Sequence, residues 1–209
     1  KTLNSSGYFK NVFGFSRVSS YSIDLTDETS LKRAVDVCTD VGEIRLVIDA
    51  TGFLHSEGQG PEKTWRELNV DQLTRAFAVN AIGPALLMKH VLPHLPRSGK
   101  AVFATLSARV GSIGDNHLGG WYAYRASKAA LNQIVRTAAI ELARRAPEAI
   151  CVALHPGTVA TSLSAPFNKQ GLDLHTPSEA AQHLLTVIER LASTDNGGFF
   201  DWRGTQVPW

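Results

Sequence analysis

Cysteine is scarce: two in 209 residues, Cys38 and Cys151, with nothing of the close spacing that metal or redox motifs need. That excludes a disulfide framework and a thiolate-built metal site. Two free thiols suit a reducing compartment, and a cytoplasmic location is the expectation. Charge of one sign is also missing in bulk. The 21 Lys and Arg against 19 Asp and Glu leave a formal net charge of +2, spread along the chain. No basic block or tail points to nucleic acid or to a membrane surface. No uninterrupted apolar run approaches the ~20 residues that span a bilayer. No signal peptide, internal repeat or low-complexity linker interrupts the pattern. A single domain over residues 1–209 is therefore expected, long enough to bury about 70% of its unfolded surface. A small molecule is its expected partner.

What is present is an alternation of short apolar runs and longer helical patterns. Val12–Phe15, Ser20–Ile23, Ile44–Ile48, Ala101–Thr105, Cys151–Leu154 and Gly198–Phe200 read as strands. Glu28–Val41, Val70–Leu92, Tyr124–Arg145 and Ser178–Ala192 read as helices, with start signals at Thr26-Asp27 and Thr176-Pro177. Arg45-Leu-Val-Ile and Cys151-Val-Ala-Leu are apolar on both faces, as buried parallel strands are. The expected fold class is α/β: a doubly wound parallel sheet in three Rossmann-like layers. Ligands bind such sheets beyond the carboxyl ends of the strands.

Small, polar and glycine residues recur at those ends: Ser16-Arg17, Asp24-Leu25-Thr26, Asp49-Ala-Thr51-Gly52, Ser107, and His155-Pro156-Gly157-Thr-Val159-Ala-Thr161. Each also has a purely structural reading. Gly52 and Gly157 could be turn residues, Ser107 a backbone partner, Asp24 a loop or cap residue. Tyr124 and Lys128 carry more chemistry. Four apart, they share one helix face. A free phenol holds its proton up to about pH 10, and a nearby ammonium is expected to lower that value. In a cleft the pair would transfer protons.

Taken in order, Asp24-Leu-Thr-Asp27, Asp49-Ala-Thr-Gly52, Asn80 in Val79-Asn-Ala-Ile-Gly-Pro84, Ser107, Tyr124-Arg-Ala-Ser-Lys128 and Pro156-Gly-Thr-Val-Ala-Thr161 resemble the short-chain dehydrogenase/reductase superfamily over nearly the whole chain. Ser107-Ala-Arg-Val-Gly-Ser-Ile113, Gly119-Gly-Trp-Tyr-Ala-Tyr124 and the tryptophan-terminated end resemble its C-factor-like carbonyl reductase branch. The resemblance implies an oxidoreductase moving hydride between a nicotinamide cofactor and a carbonyl or alcohol substrate. It makes Tyr124 the general acid or base and Lys128 its partner, which also holds the nicotinamide ribose. Asn80 would position a water, and Ser107 would bond the substrate oxygen. Ser16, Arg17, Asp24, Leu25, Thr51, Gly52, Asn80, Tyr124, Lys128, Pro156, Gly157, Val159 and Thr161 would line the cofactor. Arginine at 17, where NAD-binding relatives place a carboxylate on the ribose hydroxyls, favours NADP(H) over NAD(H). The helices holding Asn80 and Tyr124 pair between subunits in many relatives, so a homodimer or homotetramer is expected.

Three departures accompany the resemblance. The family's first strand and glycine-rich phosphate loop have no counterpart in residues 1–209, and roughly 20–35 residues holding them are expected upstream of Lys1. A chain lacking them should bind dinucleotide poorly. The usual catalytic serine aligns with Ala108, so that Ser107 serves only after a one-residue shift, with Ser112 in reserve. Asp49 stands where relatives carry asparagine. A catalytically impaired nucleotide-binding scaffold, or an isomerase or dehydratase on this fold, is the alternative reading. His90 and His94 have a metal-like spacing, but Pro93 separates them, and surface histidines are expected. Trp121, Trp202 and Trp209 read as packing residues, Trp121 being the best placed to wall a substrate. Ser162 to Thr176, with Phe167 and Leu172, reads as a lid.

Overall fold

A computed structural model describes residues 3–4, 7–56, 58–164 and 173–209. In chain order its main elements are α1 (Glu28–Thr39), β1 (Leu46–Asp49), α2 (Val70–Phe77), α3 (Gly83–Val91), β2 (Ala101–Leu106), α4 (Tyr122–Arg145), β3 (Ala149–His155), β4 (Thr158–Val159), β5 (Leu174–His175), α5 (Pro177–Arg190) and β6 (Phe199–Asp201). A parallel sheet runs in the order β1-β2-β3-β6, and β4 and β5 form a separate parallel pair.

The two-residue alternation of the strands divides the core into two layers. Ala101, Phe103, Ala149, Cys151 and Ala153 pack with α1, α3 and α4 through Leu31, Val35, Leu87, Val91, Leu131 and Val135. Val102, Ala104, Ile150, Val152 and Leu154 pack with α5 through Leu184, Val187 and Ile188. The result is helix, sheet, helix, as the two-faced apolar strands require. Side chains start three of the helices. Asp27 accepts from Thr29 N–H at α1, Asn69 from Asp71 and Gln72 N–H at α2, and Thr176 with Glu179 forms a reciprocal capping box at α5.

Two expected strands do not form. Among the described residues Val12–Phe15 has no ladder partner, and Ser22 within Ser20–Ile23 makes an isolated bridge to Ser16. Ser16 spends its backbone groups on a turn with Ser19, Tyr21 and Ile23. The apolar residues that suggested strands instead meet one another, with Phe13, Phe15 and Tyr21 ring centroids 5.6–6.2 Å apart. The expected helix Val70–Leu92 is interrupted by a π turn over Ala78–Ile82, which inserts a residue and re-aims Asn80. The helical run Val70–His94 is long and apolar enough, by composition alone, to cross a bilayer. Here its apolar residues Ala76, Leu87, Met88 and Val91 are buried within the protein.

Candidate active site

α4 brings Tyr124 and Lys128 to the carboxyl edge of the sheet. Its N-terminus is held from a distance. Trp121, the residue before the helix, adopts a left-handed φ of 53°, costly for a side chain of its size. Glu62 offsets that cost. Its carbonyl accepts from Trp121 N–H, and its carboxylate accepts from Ala123 N–H at 3.2 Å. Glu62 is 2% exposed, and nothing in its local sequence marks it as a partner of α4. Further along, α4 lies against the turn Arg109–Gly111 so closely that a Cβ on Gly111 would stand 2.6 Å from Lys128 Cβ.

Tyr124 is packed with Ala108 and Leu54, and Val110, Trp121 and Leu163 border this cluster. Trp121 meets Tyr124 edge to face at 6.3 Å, a packing contact. Lys128 is 2% exposed and donates to Leu106 O at 2.7 Å. Burial draws its pKa down to about 8, with Asp49 opposing. Burial raises Tyr124 to about 12. The expected lowering of the phenol by Lys128 is thus reversed. Nζ lies 5.9 Å from the ring centroid and spends its bond on a carbonyl, so desolvation of the phenolate dominates. At neutral pH the pair is an ammonium beside a protonated phenol.

Asn80 is fully buried in the π turn. Its Oδ1 accepts from Phe53 N–H and its Nδ2 donates to Phe53 O, both at 2.7 Å, and Nδ2 also donates to Ser127. It therefore fixes the loop after β1 against α4. In that loop, Gly52 would place a Cβ 3.8 Å from Asn80 Oδ1 and 3.9 Å from Lys128 Nζ. Thr51 donates through N–H and Oγ1 to Asp49.

Ser107 is engaged within the protein. It is 3% exposed, and its hydroxyl donates to Asn132 Oδ1 at 2.6 Å. The neighbouring residue, Ala108, is the one packed on Tyr124, as the alignment without a shift requires. Ser112 accepts from Asp115 N–H instead.

The remaining expected cofactor residues separate into free and committed groups. Ser16 and Arg17 are exposed in their turn. Asp24 accepts from Thr26 N–H and Oγ1, which hold its carboxyl below the usual range, in the manner of a turn residue. Leu25 is core, and a Cβ on Gly83 would lie 2.7 Å from its own Cβ. Pro156, Gly157 and Val159 lead β3 into β4, and Thr161 turns back onto Ser164. Gly157 has φ +77°, and a Cβ there would meet His175 and Trp202 at 2.9 Å. Trp202 packs on His175 and His183, and Trp209 stacks on Phe199. His90 contacts Glu28 at 2.9 Å. Phe167 and Leu172 lie outside the described residues.

His155, at the end of β3, carries a testable pH signature. Burial, aided by Arg109, lowers its pKa to about 4, and its Nδ1 is buried without a partner. The unfolded chain protonates His155 near the ordinary histidine value of 6.5, whereas the folded chain does not. Its contribution is therefore present above pH 6.5 and lost as pH falls towards 4. The loss amounts to about 3 kcal/mol. Urea melts across that window should show it, and His155→Gln should flatten the slope.

Comparison with known proteins agrees with this geometry. Residues 10–194 match the family described as enoyl-(acyl carrier protein) reductase. C-signal of Myxococcus xanthus is 34% identical over 177 residues, covering 84% of this chain and 98% of that protein. The 1-hydroxy-2-glutathionyl-2-methyl-3-butene dehydrogenase of Rhodococcus sp. (strain AD45) is 30% identical, covering 90% of this chain and 78% of that enzyme. Among solved structures, the NADPH-bound carbonyl reductase from chicken fatty liver superposes with a TM-score of 0.78 at 28% identity, over 90% of this chain and 76% of that one. The carbonyl reductase Sniffer of D. melanogaster gives 0.78 at 26%, over 90% and 77%. With its fold, its buried tyrosine and lysine and its relatives in agreement, the chain belongs to the short-chain dehydrogenase/reductase family of enzymes.

Proposed function

We propose that this enzyme reduces carbonyl compounds with NADP(H), Tyr124 delivering the proton and Lys128 assisting. The carrying observation is the buried pair itself, a phenol that keeps its proton one helical turn from a buried ammonium. A protonated phenol at neutral pH is the form needed to protonate a nascent alkoxide. Burial raises its pKa, so the hydroxyl keeps the proton that a substrate oxygen would receive. Leu54, Ala108, Val110 and Trp121 keep that side apolar and exclude water. With alanine at 108, Tyr124 carries the polarisation of the oxygen that relatives share with a serine.

The donor set suits a nicotinamide dinucleotide. Lys128 has spent one of its three N–H groups, and Gly52 leaves bare backbone beside it. Tyr124, Lys128 and Asn80 would hold the nicotinamide ribose. Thr51, Gly52, Pro156, Gly157, Val159 and Thr161 would line the middle, and Ser16, Arg17, Asp24 and the Leu25 backbone the adenosine end. NADPH, when bound, supplies the hydride. Exposed Arg17 favours the 2′-phosphate, and the chicken carbonyl reductase was solved with NADPH. Titration of the full-length protein should show tighter binding of NADPH than of NADH. Arg17→Ala should weaken NADPH about tenfold and leave NADH unchanged. Tighter NADH binding by the wild type would defeat the assignment. A homodimer or homotetramer in the cytoplasm belongs to the same proposal; Ile82 at 54% and Ile140 at 49% exposure are apolar residues on the helices expected to pair.

A further inference from the structure

We propose that Asp49 is the counter-charge of Lys128, a positioning residue that keeps the ammonium charged inside the protein. The inference rests on the reading of Tyr124 and Lys128 given above. A lysine at 2% exposure is costly to hold as a cation unless an anion faces it. Asp49 ends β1 at 4% exposure, in register with Thr105 of β2. Its carboxylate is fixed on both oxygens. Oδ1 accepts from Thr51 N–H at 3.0 Å and Thr51 Oγ1 at 2.6 Å, and Oδ2 accepts from Thr105 Oγ1 at 2.8 Å. Thr105 precedes Leu106, whose carbonyl holds Lys128 Nζ. On the other side, the loop that Asp49 opens passes the same Nζ at Gly52, where an added Cβ would stand 3.9 Å from it. Asp49 is thus bonded to the strand end whose next carbonyl holds the ammonium and to the loop that passes it.

The other groups around α4 do not take this part. Asn80 of the π turn and the Leu106 carbonyl are neutral. Tyr124, on α4 itself, keeps its proton. Glu62 bonds the start of α4 through Oε2, Arg75 of α2 lies over the Phe53 ring, and Arg109 pairs with Asp115 and Asp201. Of the charged groups, Asp49 is the one whose field opposes the loss of the Lys128 proton. An asparagine of the same shape would offer no such field.

The test is Asp49→Asn in the full-length protein. In NMR titration without cofactor, the Lys128 amine, assigned by its absence in Lys128→Met, should deprotonate about one pH unit lower than in wild type. The alkaline limb of kcat/KM should move down by the same amount, while Asp49→Glu stays near wild type. An unmoved Lys128 midpoint, or equal shifts in the Asn and Glu variants, overturns the proposal. A moved midpoint with an unmoved rate profile upholds the counter-charge and defeats the proton-transfer reading of Lys128 instead. Should the Asn variant fail to fold, Asp49→Ser, which keeps an uncharged acceptor for Thr51 N–H, carries the same test.

Discussion

Tyr124→Phe is expected to lower kcat for carbonyl reduction by about 10²–10⁴-fold, the usual contribution of a positioned acid. The substitution removes one oxygen and keeps the ring that packs against Leu54, Ala108 and Trp121. Melting temperature should therefore stay close to wild type. The large factor follows from two features. The phenol is desolvated and protonated, and no serine at position 108 remains to share the substrate oxygen. A Tyr124→Phe enzyme with near wild-type kcat would show that the proton comes from elsewhere. A fall in melting temperature matching the fall in rate would point to a packing role instead.

Gly111→Ala is expected to damage stability and catalysis together. The added Cβ would stand 2.6 Å from Lys128 Cβ, 3.0 Å from the Lys128 carbonyl carbon and 3.2 Å from Ala129 N. Two of those three atoms belong to the backbone of α4, so no rotamer change relieves the contact. α4 must shift or the turn must open, at about 3 kcal/mol, a fall in melting temperature of roughly 10 °C. Because the displaced residue is Lys128, kcat should fall about 100-fold as well, the scale of a 1 Å misplacement. Gly60→Ala is the control. Nothing lies within 4 Å of a Cβ there, and thermal melts and turnover should be unchanged. Wild-type melting of Gly111→Ala would refute the close packing of α4 on that turn.

Features set by local pattern were legible in the sequence, and those set by long-range packing were not. The two-faced apolar strands, the helix over 122–145 and the Tyr124–Lys128 face depend on periodicity within a few residues. Where Ser107 turns was not legible, because one residue at the end of a strand decides which face a side chain takes. Ser107 turns to Asn132 and Ala108 to Tyr124, and composition weighs a hydroxyl above a methyl whichever way each points. Val12–Phe15 failed because apolar aromatic runs suit strands and side-chain clusters alike, and here the rings found each other. Glu62 was silent because its partners Trp121 and Ala123 lie far along the chain. Asp49 showed in the sequence only as a departure from its relatives, and its place beside the segments that hold Lys128 supplies a reason for it.

The most direct measurement is NADPH consumption by the full-length protein with a panel of aldehydes, ketones and quinones, with the alcohol product quantified in parallel. NADPH should disappear one for one with alcohol formed from at least one class, faster than NADH. No NADPH consumption with any carbonyl would contradict a carbonyl reductase.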